Sequence, residues 1–192
     1  MGPIDAFWLA IVFVFVFIAL VRGYLKELGL TLVMLVYLFA LDQILPRILS
    51  EGSFVERALP NPETRDLVLW LTFTVLCLVT VFIAYAGETL AFEGTPIKGV
   101  VGVVLNVIVG FVNGYLVAGT LWWLMDFFNY PIQQFGLLQA YSPDQLLPPN
   151  SELIVNQLHL LPPDLLAGGV GDTALGLLPF LLITMVLLRV VR

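Results

Sequence analysis

Apolar residues run in long stretches along this chain, and polar positions gather at the ends of those stretches and in two proline-bearing segments. Runs over about 6–21, 28–45, 67–86, 99–125 and 174–191 approach the ~20 apolar residues that carry a helix across a bilayer. The pattern predicts five membrane spans. Within the fourth, small or amide residues recur at Gly99, Gly102, Asn106, Gly110, Asn113, Gly114 and Thr120. At about 100° per residue these fall within roughly 120° of one helix face. A soluble helix rarely tolerates four glycines, each costing about 1 kcal/mol relative to alanine. In lipid, small side chains instead let two helices approach closely.

Composition supports the same class, with 60% hydrophobic and 11% charged residues against roughly 25% charged in a soluble domain. The mean hydropathy is +1.01. The fold class expected is an all-α polytopic membrane helical bundle, a single integral membrane domain spanning 1–192, with no separate soluble domain. Cys77 is the single cysteine, so no disulfide forms within one chain, and its apolar setting reads as a buried small side chain.

Orientation follows from charge. Nothing basic precedes the first run, no small-residue cleavage site follows it, and Arg22 and Lys26 lie beyond it, which argues for a span rather than a signal peptide. By the positive-inside rule the N-terminus, with Asp5, is outside and the C-terminus inside. Five of the eight basic residues then lie inside, and Arg47, Arg57 and Arg65 outside. Trp8, Trp70, Trp122 and Trp123 all fall at the outer interface, as an aromatic belt does. The outer segments, 46–66 and 129–173, are broken by prolines. Ser151, Glu152, Leu153, Ile154, Leu158 and Leu161 suggest a short helix with one apolar face in the second of them. A net charge of −6 argues against nucleic acid as a partner.

Two segments carry a resemblance. The opening IDAFWLAIVFVFVFIALVRGYLKELGLTLVMLVYLFA and the later GVVLNVIVGFVNGYLVAGTLWWLMDFF resemble the colicin V production (CvpA-like) family of bacterial inner-membrane proteins. Asp5, then Arg22 and Gly23, then Lys26 and Glu27 match the first part of the family pattern. Gly102, Asn106, Gly110 and Gly114 match the second, over residues 4–128. Asn106 stands where the family usually has glycine, and Asn113 where it usually has arginine. The resemblance implies a four-span core followed by an amphipathic tail, so the fifth run, at the C-terminus, is a further departure. It also implies the bacterial cytoplasmic (inner) membrane, toxin production and export, envelope maintenance, and small-solute passage.

The residues by themselves leave two readings of that face open. Asn106 and Asn113 are seven apart, hence about 20° apart on a helix, and an amide at this depth either bonds another helix or lines a narrow polar path. Likewise, Arg22 and Lys26 are topology determinants and headgroup contacts, or form a cytoplasmic mouth with Gly23, Glu27, Glu88 and Glu93. Asp42 and Asp126 sit near outer span ends and can reach water. His159, the sole histidine, cannot build a metal site.

One enzymatic motif is present: Gly169, Val170, Gly171 and Asp172 spell the G-x-G-D of intramembrane aspartyl proteases, with Asp126 as the second carboxylate. Asp172 reads equally as the N-cap of the last helix. No nucleophile–base pair or phosphate loop accompanies it, and neither enzymatic activity nor a cofactor is expected. The functions that fit are a small-solute channel or transporter and a non-transporting scaffold or accessory subunit, with intramembrane proteolysis remote. The expected partners are the lipid bilayer and further copies of the chain or other membrane proteins.

Overall fold

The computed structural model describes residues 3–87, 92–131, 161–167 and 176–190. Their regular structure is helical, in the order α1 (Pro3–Arg22), α2 (Tyr24–Leu49), α3 (Phe54–Ala58), α4 (Pro62–Ala86), α5 (Val100–Phe127), α6 (Pro162–Ala167) and α7 (Leu177–Val190). Three of them, α2, α4 and α5, are long and apolar enough to cross a membrane. The apolar stretch of α1, Ala6–Arg22, and α7 are shorter. At 1.5 Å per residue, the 14 residues of α7 extend about 21 Å, less than the ~30 Å hydrocarbon core.

Capping and proline chemistry explain where the helices depart from the bounds read in the sequence. α2 runs through Pro46 to Leu49, because a proline in the last turn forfeits little of the remaining helix. α4 begins at Pro62, where Asn61 is the N-cap and its side chain accepts from the Glu63 N–H at 3.0 Å. Pro162 opens α6 in the same way. Prolines expected to break the chain at these two places start helices instead, since a first-turn residue needs no intrahelical N–H partner.

α2 is the central helix. It packs against α1, α4, α5, α6 and α7, and buried residues such as Leu30, Thr31, Leu35, Leu38 and Leu45 occupy more than one of its faces. The α1–α5 pair makes the most extensive helix contact in the bundle. α1 contributes a stripe of Trp8, Val12, Phe15 and Ala19, at the spacing of one helix face. α4 is attached more narrowly, through Leu69, Phe73, Cys77 and Ala84, and the Tyr37 hydroxyl donates to the Phe73 carbonyl at 2.8 Å. Its remaining surface, including Leu71, Val75, Leu78 and Phe82, is exposed and apolar. Hydrocarbon is the solvent that suits such a surface. Trp8, Trp122 and Trp123 are buried in the bundle, so these three rings of the expected belt are packed among helices.

Candidate functional site: a buried carboxylate at the helix junction

Gly23 alone joins α1 to α2, with φ +88° and ψ 147°, a conformation open essentially to glycine. Its N–H completes α1 by donating to the Ala19 carbonyl at 2.9 Å. The reversal sets Arg22, the last residue of α1, beside Glu27, in the first turn of α2. Both charges suit their helix ends, a cation where the carbonyls end and an anion where the N–H groups begin.

Glu27 is fully buried. Its Oε1 lies 3.3 Å from Arg22 Nη1, and its Oε2 accepts from Asn113 Nδ2 and from the Tyr85 hydroxyl, each at 3.0 Å. The same Asn113 nitrogen donates to the Glu27 backbone carbonyl at 3.0 Å. Asn113 Oδ1 in turn accepts from the Thr31 hydroxyl at 2.7 Å, so both polar ends of this buried amide are satisfied. The Arg22 guanidinium carbon stands 4.5 Å from the centre of the Tyr85 ring, a cation–π arrangement. Taking a carboxylate out of water costs several kcal/mol. Donors from α1, α4 and α5 converge here to offset that cost.

Asn106 serves the same junction at its neighbouring turn. Because the N-cap of α2 is a glycine with no side chain, Asn106 Oδ1 reaches from α5 and accepts from the Tyr24 N–H at 2.7 Å. Tyr24 accepts from the Ile97 N–H through its hydroxyl at 3.3 Å, and the Phe92 N–H donates to the Leu25 carbonyl at 3.0 Å. These bonds fasten the segment entering α5 across the start of α2.

The glycines of the face have separate roles. A Cβ on Gly110 would stand 2.7 Å from Ala19 Cβ and 2.8 Å from Val16 Cα, and one on Gly114 would stand 2.7 Å from Val12 Cα. These two let the backbones of α1 and α5 touch. Gly99 is the N-cap of α5 at φ +78°, and a Cβ on Gly102 would collide with the Ile97 carbonyl. Thr120 turns back onto its own helix, donating to the Leu116 carbonyl at 2.5 Å. Lys26 is exposed.

The structure thus joins Arg22, Gly23, Glu27, Asn106 and Asn113, which the sequence placed in two groups, into one junction. Glu88, His159, Gly169, Gly171 and Asp172 lie outside the described residues, as do Leu153, Ile154 and Leu158 of the short outer helix. Asp126 is half-buried in the last turn of α5. Two members of the network, Thr31 and Tyr85, are absent from the candidates that the sequence supplies. Thr31 follows Glu27 by four residues and so shares its helix face, a readable signal. Tyr85 has none stronger than a hydroxyl near the end of an apolar run. Gly119 is a third addition: a Cβ there would meet Pro162 Cδ at 2.5 Å, which seats α6 on α5. Among the described residues, no group of three or more His, Cys, Asp or Glu side chains could hold a metal ion. Comparison with protein-family models, with curated proteins and with solved structures gives no match to this chain.

Proposed function

We propose that the chain is a non-transporting membrane scaffold, an accessory subunit whose small-residue face is an internal joint and whose remaining apolar faces meet lipid and other membrane proteins. One observation carries this reading. Gly110 and Gly114 sit against the backbone of α1 and Asn113 between them has no exposure, so packing closes the face that a solute path would need. In the orientation favoured by its charges, the chain has its N-terminus outside and its C-terminus inside, with the run at 174–191 as the fifth crossing. The resemblance to colicin V production proteins supports a role in the bacterial inner membrane, in toxin production and export or in envelope maintenance.

Photo-cross-linking from the exposed positions Val104 and Phe111 in cells tests the reading. A heterologous membrane protein trapped at either position supports it. Self-adducts alone at both, together with solute flux in proteoliposomes that Asn113→Leu abolishes, would sink it. A second reading, small-solute passage, is favoured by Glu27, because ionisable groups buried among spanning helices mark ion and proton routes. There the Arg22–Glu27 pair is the gate, and Glu27→Gln changes flux.

A further inference from the structure

The sequence after α5, residues 129–173, reads as an outer segment, yet part of it returns to the body of α5. A Cβ on Gly119 would stand 2.5 Å from Pro162 Cδ and 2.9 Å from Pro162 Cγ, with Leu161 Cδ2 at 3.8 Å. Gly119 lies more than two turns before Phe127, the last residue of α5, hence about 12 Å back along the helix. The 28 residues of α5 extend about 42 Å. A ~30 Å hydrocarbon core centred on that helix covers about residues 104–123 and includes Gly119. Tyr115 lies one turn deeper on the same face, and Asp164 is close enough for its charge to act on that phenol.

The start of α6 is built for a place without water. A helix that begins in hydrocarbon leaves first-turn N–H groups unsatisfied, each at a cost of several kcal/mol. Pro162 and Pro163 open α6 and have no N–H to lose. The Leu165 N–H donates to the Leu161 carbonyl at 2.9 Å. Leu161, Pro162 and Leu166 are buried, whereas Leu165 is 43% exposed. α6 packs against both α2 and α5, which also pack against each other, so it lies in the groove between them.

We infer that α6 is a re-entrant helix: the chain reaches the end of α5 at Phe127 and by Leu161 is back in the same half of the bilayer, lodged at Gly119. Its six residues extend about 9 Å, too short to cross by themselves. Helix ends at membrane depth are tolerated where protein covers them. The Gly119 notch supplies that cover by letting the Pro162 ring lie against the backbone of α5. Lodged there, α6 closes the α2–α5 groove from the end at which α5 finishes. The inference rests on α5 crossing the membrane and on neither of the two functions proposed above.

The full-length protein in proteoliposomes carries a nitroxide at Leu165→Cys, Val75→Cys or Glu51→Cys in turn. Power-saturation electron paramagnetic resonance compares collision with oxygen, which dissolves in lipid, and with a water-soluble nickel chelate. Val75 is an exposed apolar position of α4 and Glu51 an exposed charged one beyond α2, so they mark lipid and water. Leu165 is expected to match Val75, with the chelate collision seen at Glu51 lost. Chelate collision at Leu165 equal to that at Glu51, while Val75 stays shielded, overturns the proposal, because α6 would then lie outside the bilayer. Chelate collision at Val75 as well would overturn the membrane placement with it. Gly119→Leu, read at the same Leu165 label, should restore chelate collision by displacing Pro162; an unchanged label overturns Gly119 as the seat. The depth comparison alters exposed positions only, so misfolding of Gly119→Leu leaves it decisive.

Discussion

Asn113 is where a single side chain does most, because it touches Glu27 twice and Thr31 once. Asn113→Leu removes a donor from a buried carboxylate and an acceptor from a buried hydroxyl. The expected cost is about 3 kcal/mol, within the range for breaking buried charged networks. Tyr85→Phe takes only one donor and is expected to cost about 1 kcal/mol. Thermal unfolding of the detergent-solubilised protein separates the two, and equal losses would contradict this ranking. Asn106 offers a sharper test, since it acts as an acceptor for the Tyr24 N–H. Asn106→Leu should cost about 1 kcal/mol, as lost caps do, while Asn106→Asp keeps the acceptor and should recover most of that.

Between helices, glycines act by two different mechanisms that substitution distinguishes. A Cβ on Gly23 would meet no atom within 4 Å, but its φ is +88°, so Gly23→Ala encounters backbone strain alone, of about 1–3 kcal/mol. Gly114 has an ordinary helical backbone and α1 directly against it. Gly114→Leu must therefore push α1 and α5 apart, and should lower the melting temperature far more than Val112→Leu, whose side chain is exposed and whose effect should stay within about 0.5 kcal/mol. Equal melting shifts for Gly114→Leu and Val112→Leu would show that this seam does not hold the helices. Ala19 and Val12 belong to the same contact, so α1 lies directly against α5 along this seam.

Across the whole molecule, the charges argue for one orientation and the apolar surface suits a membrane. Glu51 and Lys98 are both exposed and lie at opposite ends of the bundle in the expected topology. A membrane-impermeant maleimide should label Glu51→Cys in intact cells and Lys98→Cys only after permeabilisation. Cys77 is fully buried, so the natural thiol adds little background. Labelling of Lys98→Cys in intact cells would reverse the orientation and with it the side on which the Arg22–Glu27 pair lies.

The hydrophobic runs by themselves determined that the protein is helical and suited to a membrane, because backbone groups in lipid must bond internally and a helix does so within one segment. They also located α1, α2, α4, α5 and α7 to within a few residues, but not α3 and α6, which lie in segments read as proline-broken, and marked Gly110 and Gly114 as places of close approach. Sequence spacing along α5 could not decide whether Asn106 and Asn113 faced a path or another helix, since both uses ask for an amide on one helix face. Only tertiary structure decided their contacts: the Gly23 reversal brings Glu27 to α5, and partners 82 and 86 residues away in the chain meet Asn106 and Asn113. The physical reason is that a buried carboxylate must collect donors wherever the packing places them, and no local pattern records which helix will supply each one.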